Sequence, residues 1–366
     1  MKVFLKILKD ESGRQIEGLI LVALAGIIVT IVSRLIVHYG LSIWLSYVIA
    51  IAFVFVLWVI IFFIPFLIRK SHEQKREGIH LWNLETGETV INLGVHQTVN
   101  SLAFSPDGNI LAYAGSESMV CMETATGKKL FEDEEFGGSD CVVFSRDGNL
   151  LAAAKEKYII MWKANTWEEI LDVNVEARVK SLAFSHDGDL LASGSYDNTT
   201  LLWRISNGIE TFRFEGHERG VSCTAFSPDN KLLASGSYDA TVRIWTVDSG
   251  KQVKCLSGTR CGYTMAFSPN GRFLAIAGGG GFISVWEITT GKEITRLKGH
   301  KGEIWTVAFS RDGRLLSSGG GDCTIRIWDV ASRKLLMKLK GNLGTIHAVA
   351  FSPDGRVLAS GSQTRW

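Results

Sequence analysis

GHKGEIWTVAFSRDGRLLSSGGGDCTIRIWDVASRKLLMKLKG, residues 299–341, decides how this chain folds. Ile304, Thr306 or Val307, and Phe309 give its first part a short β-rich run. Residues 310–313 follow as a tight turn, with Asp312 and Gly313 where a positive φ costs least. Residues 315–318 make a second strand, and residues 319–322 turn the chain again. Residues 324–328 alternate apolar and polar side chains, as a half-exposed strand does. Residues 335–339 read as a fourth strand on an outer edge. A single sheet of this size cannot bury both faces, so it needs neighbours of the same kind.

The neighbours are in the sequence. A Phe-Ser-x-Asp/Asn-Gly/Asn core begins at Phe104, Phe144, Phe184, Phe226, Phe267, Phe309 and Phe351, at intervals of 40, 40, 42, 41, 42 and 42 residues. A period near forty is that of radially stacked four-stranded blades. Seven hairpins are matched by seven third-strand ends at Trp82, Met122, Trp162, Trp203, Trp245, Trp286 and Trp328. The first of these ends has no hairpin before it, and the last hairpin has no strand pair after it. The two orphans complement one another, so residues 345–362 are expected to pair with residues 78–93 in one blade. The expected fold is all-β: a seven-bladed β-propeller closed by strands from both ends, which removes the exposed sheet edges of an open array.

Residues 78–366 resemble the WD40-repeat β-propeller family, through Gly216-His217, Gly299-His300, Trp328-Asp329 and the seven turns. Trp-Asp is intact only at Trp328-Asp329; Asn83, Lys163, Arg204, Thr246 and Glu287 follow the other tryptophans, and Met122 replaces one. The resemblance implies a structural hydrogen-bond network within a blade, formed here by His217, Ser235, Asp239 and Trp245 and again by His300, Ser318, Asp322 and Trp328. The unit containing Ser193, Asp197 and Trp203 has Val175 at the histidine position, so its network is expected to be incomplete. The same residue types could serve a Ser-His-Asp hydrolase. Two copies in one domain argue against that, and no catalytic residue is expected. The resemblance also nominates Tyr196, Tyr238 and Trp305 as partner-binding residues, since rigidly held aromatics anchor protein surfaces well. The competing reading is that these rings only cover blade edges.

The N-terminal part has a different composition. Residues 41–68 hold no charge in 28 positions, more than the about 20 needed for a membrane-spanning helix. Residues 19–32 are apolar too, and reach spanning length if Arg34 snorkels at the far interface. Lys2, Lys6, Lys9 and Arg14 precede these spans, and Arg69, Lys70, Lys75 and Arg76 follow them, which predicts a two-helix transmembrane hairpin with both flanks in the cytoplasm. The expected organisation is a cytoplasmic segment (1–17), a two-helix anchor (18–68), a juxtamembrane linker (69–77) and the propeller (78–366).

Composition narrows the chemistry further. The formal charge of +2 gives no basic field for nucleic acid. The six cysteines show no metal-ligand spacing, so buried reduced thiols are expected, with no metal and no cofactor. The glycines at 278–281 read as a turn rather than a phosphate loop, and the acidic run 131–136 as a solvated connection. The expected function is a membrane-tethered, non-catalytic scaffold presenting a protein-binding surface in the cytoplasm, with lipid contact through residues 18–68. The alternative is a regulatory or sensor subunit whose membrane helices assemble with another membrane protein.

Overall fold

The computed structural model describes residues 78–363, apart from residues 96, 260, 261, 342 and 343. The transmembrane hairpin, Arg69, Lys70, Lys75, Arg76 and Cys261 lie outside the described residues. Among those described, no helix is long and apolar enough to cross a membrane.

The described residues form twenty-eight strands that pair into seven antiparallel four-stranded sheets. The first strand of each sheet lies innermost, against the first strands of the neighbouring sheets. These strands are Val99–Phe104, Cys141–Phe144, Val179–Phe184, Val221–Phe226, Gly262–Phe267, Ile304–Phe309 and Ile346–Phe351, and they define blades 1 to 7 in that order. Second strands such as LLASGS, at Leu190–Ser195 and again at Leu232–Ser237, are buried along almost their whole length. Both of their faces are covered by adjacent blades, which explains their small and apolar residues. Fourth strands are half exposed, and all seven carry an irregularity opposite the third strand, as at Leu81/Trp82 and Ile327/Trp328. A bulge there twists the free edge away from pairing with another chain.

Blade 7 is built from both ends of the described chain, as the unpaired halves of the sequence require. Its strands lie in the order Thr89–Leu93, Ile79–Asn83, Val357–Ser362 and Ile346–Phe351. Ile79 faces Gly361, Leu81 faces Ala359 and Asn83 faces Val357, and the Leu84 amide extends the ladder to the Arg356 carbonyl at 2.9 Å. Gly361 has no room for a side chain: a Cβ there would stand 2.4 Å from Cγ1 of Val99 in blade 1.

The repeated turn has a local cause. In blade 4 the Ser227 hydroxyl donates to Asp229 at 2.6 Å, and the Leu232 amide donates to Ser227 Oγ at 2.9 Å. Asn230 takes φ +60°, the left-handed conformation that glycine supplies in most of the other turns. The serine hydrogen bond is the leading cause that holds Asp107, Asp147, Asp229, Asp312 and Asp354 below the ordinary carboxylate range. Neighbouring blades are tied by side chains near the channel. The amides of Val142, Thr224, Val307 and Val349 donate to the hydroxyls of Ser101, Ser181, Thr264 and Thr306 in the preceding blade, at 2.9 to 3.2 Å.

Two expectations change. The acidic run 131–136 is not simply a solvated connection, because its aromatic ends enter the core. Phe131 stacks on Trp167 with centroids 5.0 Å apart, and buried Phe136 meets the edge of Trp162 at 5.7 Å. Of the five described cysteines, Cys121 and Cys223 are buried and Cys141 and Cys323 half-buried, but Cys255 is exposed rather than buried.

Candidate functional site

The two sequence-predicted networks form as complete chains of hydrogen bonds. His217 contacts Asp239 through Nδ1 and Ser235 Oγ through Nε2, both at 2.8 Å, and the Trp245 indole donates to Ser235 Oγ at 2.8 Å. His300 repeats this with Asp322 at 2.9 Å, Ser318 at 2.8 Å and Trp328 at 3.0 Å. Burial pushes both imidazoles below their ordinary pKa, against the pull of the aspartates. Burial also opposes ionisation of the aspartates, yet hydrogen bonds from threonine, histidine and backbone groups outweigh it and bring Asp239 and Asp322 to about 2. Each assembly therefore holds a neutral histidine between a carboxylate and a hydroxyl.

The atoms resemble a hydrolytic triad, but their placement does not serve one. Ser235 and Ser318 have no exposed surface, and the serine oxygen already accepts the tryptophan N–H. A nucleophile must reach substrate and oxyanion donors; these serines cement a sheet. In blade 3, Trp203 still donates to Ser193 at 2.9 Å while buried Val175 replaces the histidine, and Asp197 turns to Thr199. Blade 7 has the same bond across the join, from Trp82 to Ser360 at 2.8 Å, between residues 278 apart in sequence.

The residues nominated for binding come together on one face. In six blades a bulge falls after the first residue of the innermost strand, leaving Asn100, Lys180, Ser222, Tyr263, Trp305 and His347 outside the ladder. Asp140 holds the same register in blade 2. Bulges re-aim side chains, and here they place one residue per blade around one end of the central channel. The turns between second and third strands lie at this same end, called the upper face below.

Three consecutive members of this ring, Tyr263, Trp305 and His347, are aromatic, and Tyr196 and Tyr238 on the adjoining turns extend them into an arc. Tyr196 and Tyr238 stack with centroids 5.9 Å apart, Tyr238 meets Tyr263 at 5.7 Å, Tyr263 stacks on Trp305 at 4.8 Å, and Trp305 meets His347 at 5.5 Å. Tyr196 is 45% exposed, so the arc is not sealed by its own packing. Burial raises the Tyr238 phenol well above its ordinary value, keeping it neutral, and burial lowers His347 despite a hydrogen bond with Gln363. Two other members, Asp140 and Lys180, are charged. Buried Asp140 receives Lys180 Nζ at 2.6 Å and Arg178 Nε at 2.7 Å, and the Arg178 guanidinium lies 5.9 Å from the Tyr196 ring centre. One carboxylate against two cations leaves a net positive charge where the aromatic arc begins.

Comparison with known families agrees with this architecture. The sequence model of the WD domain, G-beta repeat (WD40) matches residues 87–122, 170–204, 208–246, 250–287, 291–329 and 333–365, more than half of the chain. The chain belongs to the WD40 family. Matches such as 208–246 start in the fourth strand of one blade and end in the third strand of the next, so each WD40 repeat spans two blades. Residues 123–169 fall between matches, yet they build most of blade 2 with the same four-stranded pairing. A search of curated proteins found no match. WD40 propellers are typically non-catalytic interaction scaffolds, which accords with the buried serines.

Tyr196, Tyr238 and Trp305 were visible in the sequence, whereas Tyr263 and His347 were not singled out. Both stand four residues before the turn phenylalanine, as Trp305 does, and that spacing is the signal that finds them.

Proposed function

We propose that this WD40 protein is a membrane-tethered, non-catalytic scaffold whose upper face binds a protein partner in the cytoplasm. The observation that carries the reading is the continuous arc from Tyr196 to His347, flanked by the Arg178–Asp140–Lys180 cluster. Large, rigid rings beside a cationic rim suit a partner segment with apolar side chains and acidic neighbours. The tether is supported by the charge-free residues 41–68 and by the basic residues on both sides of the apolar region.

Each half of the proposal has its own test. Alkaline carbonate extraction of membranes, followed by protease treatment of sealed vesicles and spheroplasts, reads the tether. Retention in the pellet with the propeller cut only from the cytoplasmic side is expected; a freely soluble chain contradicts it. For the face, Y263A/W305A is expected to abolish in-cell photo-cross-linking from a benzoylphenylalanine placed at Tyr238. A cross-link that survives that double substitution contradicts binding through the arc.

A further inference from the structure

The central channel has a second mouth, at the end where the turns between first and second strands converge. A cavity of about 560 Å3 opens there, within the roughly 300–1,000 Å3 of small-molecule sites. Its wall is formed by phenylalanines that end the innermost strands, among them Phe184, Phe226, Phe267 and Phe309. The rim is set by one residue per blade, two positions after the phenylalanine. Four of these are prolines: Pro106, Pro228, Pro269 and Pro353. Proline brings no N–H donor, so the basic groups of the rim come from the other three positions, Arg146, His186 and Arg311.

All three are basic, and none is spent on a counter-charge. Arg146 and Arg311 make no ion pair or side-chain hydrogen bond among the described residues. The aspartates that follow them accept their own turn hydroxyls instead, Asp147 from Ser145 and Asp312 from Ser310, each at 2.6 Å. Asp187, next to His186, is held by Ser185 at 2.5 Å and by Asn230 Nδ2 at 2.8 Å. The His186 amide is satisfied by Asn230 Oδ1 at 2.6 Å, but its ring nitrogen Nδ1 is buried without a partner. Arg146 and His186 stand on adjacent blades, with Arg311 on the other side of the mouth.

An apolar wall repels a bare ion, and unpaired guanidiniums repel a purely apolar guest. Both are satisfied by a molecule that carries one anionic group on an apolar body. We propose that this lower mouth binds a small carboxylate with an apolar body. Arg146 and His186 would take the carboxylate, Arg311 would add to the field from across the channel, and the phenylalanine wall would cover the body. This site is independent of the upper face and of any protein partner there.

The test is calorimetric titration of the purified full-length protein with 4-phenylbutyrate, its neutral analogue 4-phenylbutanol, and inorganic phosphate. Single-site binding of 4-phenylbutyrate is expected, weakened at least tenfold in 4-phenylbutanol and at least tenfold in R146Q/R311Q, with no binding of phosphate. Both arginines are exposed on turns, so an unchanged thermal midpoint is expected to show that the double variant is folded. Failure of 4-phenylbutyrate to bind overturns the proposal. So does equal binding by R146Q/R311Q, which would locate the signal elsewhere, or phosphate binding as tight as the carboxylate, which would leave the apolar wall without a role.

Discussion

A disulfide placed across the join in blade 7 measures directly whether both ends of the propeller share one sheet. Asn83 and Val357 face one another in adjacent antiparallel strands, where Cα atoms lie about 4.5–5.5 Å apart, a spacing that admits a disulfide. N83C/V357C would close a loop of about 270 residues, for which chain entropy gives an upper bound of about 5 to 6 kcal/mol. The substitution also removes Asn83 Oδ1, which accepts the Glu85 and Thr86 amides at 2.8 and 3.1 Å. Losing that turn costs about 1 kcal/mol. A net gain near 4 kcal/mol corresponds to a rise in thermal midpoint on the order of 8 °C. The assay is a non-reducing gel with peptide mapping of the linked fragment, followed by thermal melts with and without reductant. A disulfide-linked peptide pair spanning positions 83 and 357 in the monomer band, and a melt lowered by reductant, are expected. If the oxidised variant shows only single thiols or intermolecular links, the two ends do not pair and the closed ring is wrong.

The remaining predictions concern the blade networks and their packing. Ser235→Ala leaves the buried Trp245 N–H and His217 Nε2 without partners, two orphans at about 1–3 kcal/mol each, so urea unfolding is expected to show a loss of about 2–5 kcal/mol. Ser318→Ala is expected to behave alike, and a loss below about 1 kcal/mol in both would remove the network from the account. His217 and His300 bind a proton less readily folded than unfolded, so their contribution is complete above about pH 6.5 and falls as the pH drops below it. Each histidine adds a slope of up to about 1.4 kcal/mol per pH unit there, and H217N/H300N is expected to flatten it; an unchanged slope contradicts the assignment. Asp239 and Asp322, at about 2, add a second loss between about pH 4 and 2. Gly361→Val forces a side chain against Val99 and is expected to cost about 1–3 kcal/mol or more, read as a lowered melt with blades 7 and 1 first to exchange amide hydrogen.

The fold was legible because its rule is local and repeated. Each turn carries its own serine, an aspartate or asparagine, and a glycine or, at Asn230, an asparagine, and counting unpaired halves revealed how blade 7 closes. The networks were legible where all four residues kept their spacing, as in blades 4 and 6. The Trp82–Ser360 bond was not, because its partners belong to opposite ends of the chain. The arc was half legible. Tyr196 and Tyr238 announce themselves beside turn aspartates, but Tyr263 and His347 reach the channel mouth through bulges, and a bulge leaves no mark on strand alternation. The lower mouth escaped notice for a related reason: Arg146, His186 and Arg311 are the variable third residue of the turn, and only the ring brings them together.

The central claim is that the aromatic arc is where this WD40 protein meets its partner. Site-specific photo-cross-linking in cells tests it most directly, with benzoylphenylalanine placed in turn at Tyr238 on the arc and at Val253, an exposed residue of an outer strand. A discrete adduct from Tyr238, lost in Y263A/W305A and absent from Val253, is the expected result. Adducts that form from Val253 and not from Tyr238 would place the partner on the rim and contradict the claim.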